Sequence, residues 1–182
     1  MNIICFGDSN TFGYDPRSYI GERYAPDCRW VDILAEISHW NIRNNSMNGR
    51  EIPRSETVFS KSTDLLIVML GTNDLLQGND LSESARRMEW FLNHQNIALE
   101  KILLIAPPPL RFGEWVEKQS LIEASAGLAA VYRKLAEQTG THFVNAGEWR
   151  VPLAYDGVHF TEDGHKVFAE KLYVFLRDLF SH

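Results

Sequence analysis

Only two cysteines occur in 182 residues, Cys5 in an apolar run and Cys28 in a polar stretch, so the sequence holds no disulfide framework and no metal-ligand spacing. Cys5 reads as a small core residue. No His-x-x-x-His or Cys-x-x-Cys pair is present, and neither a metal nor another cofactor is expected. No apolar run approaches the roughly 20 residues that span a bilayer. The apolar start gives way to Gly7-Asp8 at once, which leaves no room for the h-region of a signal peptide; no membrane anchor is expected, and the expected compartment is the cytoplasm. Lys and Arg are scattered and outnumbered, 18 against 24 acidic residues with a net charge of -6, which argues against a nucleic-acid partner. A glycine-rich phosphate fingerprint is missing. So is the Gly-x-Ser-x-Gly nucleophile elbow, because Thr11 stands where its second glycine would be. Repeats, low-complexity segments and linkers are also lacking, and the length suits one domain, 1–182, large enough to bury a core without disulfides.

What is present begins with Asn2-Ile3-Ile4-Cys5-Phe6, a strand-like apolar run that ends in Gly7-Asp8 and delivers Ser9. At the C-terminal edge of a parallel sheet, where ligands bind, a serine so placed is a candidate nucleophile. A second apolar run, 65–70, is closed by Gly71-Thr72-Asn73-Asp74, and further strands are expected at 40–44, 101–106 and 141–144. Three consecutive prolines, Pro107 to Pro109, stop the fourth of these five. The strand at 64–70 shows no alternation, as expected when helices cover both faces. Helical periodicity predicts helices at 27–38, 81–93 and 116–138, and a last helix capped by Thr161 that buries Phe168, Leu172, Phe175 and Leu179. Residues 11–29 read as a long loop that either walls the site or makes a subunit contact. The alternation of strands and helices predicts an α/β fold, a three-layer α/β/α sandwich with a parallel sheet.

A serine hydroxyl needs a base, and His159 is the candidate because imidazole titrates near working pH. Asp156, three residues earlier, is placed to hold Nδ1 and stabilise the imidazolium. Gly49 follows the second strand, where a missing side chain lets a backbone N–H approach a substrate oxygen. Asp8 and Asp74 read as braces of their turns. His39, His94, His142, His165 and His182 read as solvated or locally bonded side chains.

With Ser9, Gly49, Asn73 and His159 in that order, the chain resembles the SGNH hydrolase superfamily, also called GDSL-type esterases, over nearly its whole length. Asn10-Thr11-Phe12-Gly13-Tyr14 and Ala106-Pro107-Pro108-Pro109 resemble its arylesterase-like branch. The resemblance implies a flavodoxin-like five-stranded sheet in the order 2-1-3-4-5, and an oxyanion hole made by the Ser9 N–H, the Gly49 N–H and the Asn73 amide. It departs at Phe12, where relatives carry Trp, and around Asn48-Gly49-Arg50-Glu51, which matches the second block loosely; both bear on the substrate before the reaction. The implied activity is a serine esterase working through Ser9, His159 and Asp156 and an acyl-enzyme. Phe12, Tyr14, Phe112, Trp115 and Tyr155 are expected to crowd the site, which favours a small-molecule ester: an acetylated carbohydrate or a short-chain alkyl or aryl ester. The alternatives are a lysophospholipase or thioesterase taking longer chains, and a catalytically silent binding domain, which would be expected to have a broken block. Five tryptophans, several expected in loops, leave a homo-oligomer open.

Overall fold

Strands that are apolar at every position need cover on both faces, and the chain supplies it with helices. A computed structural model describes residues 1–181; His182, whose side chain was read as solvated or locally bonded, lies outside the described residues. The strands β1 (Asn2–Gly7), β2 (Asn41–Ser46), β3 (Leu65–Met69), β4 (Ile102–Ala106) and β5 (His142–Asn145) form one sheet. Its order is β2-β1-β3-β4-β5 and every pairing is parallel. The helices are α1 (Ser9–Phe12), α2 (Trp30–Ser38), α3 (Thr72–Leu76), α4 (Leu81–Asn93), α5 (Gln119–Thr139) and α6 (Glu162–Leu179).

The period of two sorts each central strand between two cores. Ile4, Phe6, Leu66, Val68 and Leu104 face Met88 and Phe91 of α4 and Leu128 and Tyr132 of α5. Ile3, Cys5, Leu65, Ile67 and Leu103 face Trp30 and Leu34 of α2 and Phe168 and Leu172 of α6. Because both faces are buried, neither face selects polar residues, and the strands read as continuous apolar runs. Four of the five tryptophans, Trp30, Trp40, Trp90 and Trp149, pack on these two cores. Among the described residues no helix is long and apolar enough to cross a membrane.

The structure corrects several sequence expectations. The segment after Ser9 is a short helix, α1, not the start of a loop. The second helix begins at Trp30, preceded by a separate 3-10 turn at Pro26–Cys28. The fifth begins at Gln119, because Val116 is held in an antiparallel bridge to Gly113. In α6 it is Leu176 that is fully buried, while Phe175 and Leu179 lie at the margin of the core. His165 departs furthest from expectation. It is fully buried, its Nδ1 accepts the Trp30 N–H at 3.3 Å, and its ring packs edge-on against Tyr24 and Phe160.

Burial, helped by the nearby positive groups of His159 and Arg29, lowers the His165 value from 6.5 to about 3. The folded protein therefore refuses a proton that the unfolded chain accepts below 6.5, so this group favours folding above that pH and opposes it increasingly as pH falls toward 3. His165→Asn keeps an acceptor near the Nδ1 position and removes the titration. The urea midpoint of the wild type is expected to fall more steeply than that of the variant between pH 7 and pH 4; parallel profiles would remove His165 from the acid sensitivity of the fold.

Candidate active site

Ser9 is delivered by the turn at the end of β1. A Cβ on Gly7 would lie 2.1 Å from Thr11 Oγ1 and 3.0 Å from the Met69 carbonyl oxygen, so α1 can fold back over the strand end only above a glycine. Asp8 caps α1, its carboxylate accepting the Asn10 N–H at 3.0 Å. Ser9 then occupies the first helical position, whose N–H has no partner within the helix. Burial pushes the Asp8 carboxyl up to about 6, against the pull of the Asn10 N–H and the positive groups of His159 and Arg50.

His159 arrives on the loop before α6. Asp156 Oδ1 accepts the backbone N–H groups of Val158 and His159 at 2.9 and 3.0 Å, so the loop curls around its own carboxylate. Gly157 lies between them with φ of +81°, and a Cβ there would sit 2.2 Å from the Arg111 carbonyl oxygen. The segment 111–116 closes on this loop through Arg111 N–H to the Gly157 carbonyl and Trp115 N–H to the Asp156 carbonyl, at 3.0 and 3.1 Å. The result is a continuous polar chain. Ser9 Oγ lies 3.0 Å from His159 Nε2, and His159 Nδ1 lies 2.7 Å from Asp156 Oδ2. Nδ1 donates to the carboxylate, which leaves Nε2 as acceptor for the serine hydroxyl. Burial raises the Asp156 carboxyl, but the bonds from the His159 ring and the two backbone N–H groups outweigh it and hold the value below the ordinary 3.8.

One amide fastens the two halves of this chain, and the sequence reading missed it. Asn10, next to Ser9, donates through Nδ2 to the Val158 carbonyl at 3.1 Å and accepts the Phe160 N–H at Oδ1 at 2.8 Å. The two groups flank His159. Trp30 Nε1 in turn donates to the Asn10 carbonyl at 3.0 Å. Asn10 was read only as part of a motif, because its partners lie about 150 positions away in the chain.

Ser9, Gly49, Asn73 and His159 line one cleft of about 380 Å³. Tyr14 and Trp115 also line it, with ring centroids 4.6 and 5.1 Å from that of His159. Asn48 lies beside Gly49, and Leu76 and Gln77 line the cleft on the side of α3. They stand three and four positions beyond Asn73, on the same helical face, and became legible only once Gly71 to Asp74 proved to open a helix. The other three aromatic candidates lie outside this lining. Phe12 packs under the Arg23 guanidinium, Phe112 is exposed, and the Tyr155 hydroxyl donates to the Pro16 carbonyl at 2.6 Å. Asn73 Nδ2 donates to the Arg50 carbonyl at 3.1 Å, which uses one of its two N–H groups and leaves the other for the cleft. Among the described residues no three His, Cys, Asp or Glu side chains are grouped to hold a metal ion.

The model of the GDSL-like Lipase/Acylhydrolase family matches residues 5–167. The aryl esterase of M. smegmatis superposes with a TM-score of 0.84 at 25% identity, covering 98% of this chain and 99% of that one. A carbohydrate acetylesterase from Sinorhizobium meliloti gives 0.84 at 23% identity over 98% and 99%. An acetylxylan esterase from Geobacillus stearothermophilus, in a catalytic mutant, gives 0.69 at 18% over 98% and 94%. The last two likenesses are of fold. No curated protein matches the sequence.

Asn10→Ala would leave the Val158 carbonyl and the Phe160 N–H bare in a buried site, at about 1–3 kcal/mol for each group. The urea midpoint is expected to drop accordingly. Ester turnover by the folded fraction, measured by active-site titration, should drop as well, because the loop that carries His159 is no longer tied to α1. A variant with unchanged midpoint and turnover would show that the amide is not the fastening.

Proposed function

The chain belongs to the GDSL-like Lipase/Acylhydrolase family and is a carboxylic ester hydrolase, and from that premise we propose that it cleaves small acyl esters through Ser9, His159 and Asp156 with an acyl-enzyme intermediate. The observation that carries the reading is the unbroken chain from Ser9 Oγ to His159 to Asp156, at 3.0 and 2.7 Å, in the cleft that Gly49 and Asn73 also line.

In the first half-reaction Ser9 Oγ attacks the ester carbonyl carbon while its proton passes to His159 Nε2. Asp156, kept ionised at neutral pH by its three hydrogen bonds, stabilises the imidazolium. The carbonyl oxygen becomes an oxyanion, for which the Ser9 N–H, the Gly49 N–H and the free N–H of Asn73 are the proposed donors. Collapse breaks the carbon–oxygen bond to the alcohol, which leaves with the proton from Nε2. Water then gives its proton to the same nitrogen and attacks the acyl carbon; collapse breaks the bond from that carbon to Oγ, Nε2 returns the proton to Oγ, and the acid leaves.

The substrate follows from the walls. A cleft of about 380 Å³ lies near the lower end of the range for small-molecule sites. Tyr14, Trp115 and Leu76 confine it. The exposed ring of Trp115 offers a flat apolar surface to an aryl group or a sugar ring, the leaving groups that the names of the M. smegmatis and S. meliloti proteins indicate for those enzymes. We therefore take acetylated carbohydrates and short-chain alkyl or aryl esters as the substrate class.

Ser9→Ala is expected to abolish ester hydrolysis with a melting curve close to wild type, since among the described residues the Ser9 Oγ hydrogen-bonds only to His159; substantial residual turnover in a folded sample would sink the acyl-enzyme route. Across p-nitrophenyl esters, kcat/KM is expected to peak at acetyl or butyryl, because overfilling a packed site is costly. A profile rising steadily to dodecanoyl would transfer the assignment to a lysophospholipase or thioesterase. Asn73→Ala should cut kcat by about 10²- to 10³-fold with little change in KM, the pattern of a donor engaged most strongly once the oxygen is charged. A normal kcat in the folded fraction would exclude Asn73 from the oxyanion hole.

A further inference from the structure

Arg87 is the most deeply buried of the arginines that make ion pairs, with 6% exposure, and it stands on the inner face of α4 with Ser84, Met88, Phe91 and Leu92. Nothing in the reaction uses it directly. Its Nη1 contacts Asp74 Oδ1 and lies 2.9 Å from Glu51 Oε2. Asp74 is fully buried, and its second oxygen, Oδ2, accepts the Ile52 N–H at 3.0 Å. The residue before it, Asn73, donates to the Arg50 carbonyl at 3.1 Å. Three consecutive residues, Arg50, Glu51 and Ile52, are thus gripped by Asn73, Arg87 and Asp74 in turn. Gly49, which lines the cleft, is the residue just before the grip.

A buried carboxylate without a counter-charge takes up a proton or distorts its surroundings. A protonated Asp74 would be a poorer acceptor for the Ile52 N–H, and one fixed point of the loop would loosen. One nitrogen, Nη1, bridges Asp74 and Glu51, while Nη2 has no hydrogen-bond partner among the described residues; a lysine ammonium would bring the charge without the planar guanidinium that holds that nitrogen in place. On the far side the loop is held independently, since Arg50 Nη1 donates to the Gly7 and Asn45 carbonyls at 3.2 and 2.5 Å. The Arg87 grip therefore sets the position of the loop against α3 rather than against the sheet.

We propose that Arg87 is a positioning residue of the oxyanion site: by pairing with Asp74 and Glu51 it fixes the 50–52 segment against α3, and so fixes the Gly49 N–H relative to the Asn73 amide. The proposal rests on the oxyanion role assigned above to Gly49 and Asn73. It locates a determinant of the rate on a helix that contributes no side chain to the cleft lining.

The test compares Arg87→Met, Arg87→Lys, Asn73→Ala and the double variant Asn73→Ala/Arg87→Met, each titrated for folded active sites and assayed with p-nitrophenyl acetate. Arg87→Met is expected to lose about 10- to 100-fold in kcat with KM changed by less than threefold, the scale of a misplacement of about 1 Å in a catalytic constellation. Arg87→Lys should recover part of that loss. Combined with Asn73→Ala, the further loss from Arg87→Met should shrink to a small fraction of its value in the wild-type background, because both changes damage one device. A wild-type kcat in the folded fraction of Arg87→Met, or full additivity with Asn73→Ala, would overturn the proposal. If Arg87→Met does not fold, Arg87→Lys carries the same two criteria. Failure of the functional reading itself has a separate signature: Asn73→Ala would then retain its kcat whatever happens at position 87.

Discussion

The parallel registration of three neighbouring strands is the constraint on which the site depends. Gly7 at the end of β1 stands opposite Ser46 of β2 and Met69 of β3, so three chain segments leave the sheet from one row. Ser9 follows two residues past Gly7, Gly49 three past Ser46, and Asn73 four past Met69. Slipping one strand by a single residue would turn its side chains to the opposite face of the sheet. Both faces are apolar, so it is the fit of side-chain shapes in the two cores, Ile3 to Phe6 and Leu65 to Met69, that opposes the slip in β1 and β3. The apolar packing therefore fixes Ser9 relative to Asn73, while Gly49 is placed by the backbone pairing of β2 with β1. The β1/β3 boundary is also where the order of connection reverses, which opens the crevice that the cleft occupies.

Much of this was legible because it is local. A strand ending in Gly-Asp-Ser, a second closed by Gly-Thr-Asn-Asp, and Asp and His three residues apart are each contained in one short segment, and the resemblance carried by those blocks supplied the strand order. What was not legible depends on partners remote in the chain. Asn10 reaches residues 158 and 160, Arg87 reaches 51 and 74, and His165 receives an N–H from residue 30. Each is a single polar side chain within a pattern that periodicity reads as solvent-facing or incidental. Two of the aromatic candidates lie outside the cleft lining for a related reason. Tyr155 and Phe12 carry the composition of a substrate wall, but the Pro16 carbonyl and the Arg23 guanidinium determine where they point. The ends of α2 and α5 shifted because local bridges and a 3-10 turn compete with helix at Pro26–Cys28 and around Val116.

Three buried aspartates surround the site and are held in three different ways. Asp156 receives two backbone N–H groups and an imidazole N–H, which together overcome its burial. Asp74 has a guanidinium and one backbone N–H, yet burial still pushes its carboxyl up to about 6. Asp8 has a single backbone N–H from Asn10, and burial prevails there. The contrast follows the number of donors: Asp156, with three, stays below the ordinary value, whereas Asp74 and Asp8, with fewer, are both pushed up to about 6, as expected when desolvation is common to all three. It also separates their duties. A carboxylate that must stabilise an imidazolium has to remain charged, whereas one that caps a four-residue helix can accept its N–H in either protonation state.

The covering of His159 links the chemistry to the size of the substrate. Tyr14 and Trp115 pack on the imidazole, which is 3% exposed, so the bond to Ser9 is shielded from competing water and strengthened by the low dielectric around it. The same two rings are walls of the cleft. Enlarging the cleft at either ring to admit a longer acyl chain would hydrate the base and weaken its hold on the serine proton, while keeping the base dry holds the walls close. The small substrate proposed above would then follow from the shielding of the proposed proton-transfer pair, and a preference for long chains would require that the acyl group leave the cleft past Leu76 and Gln77.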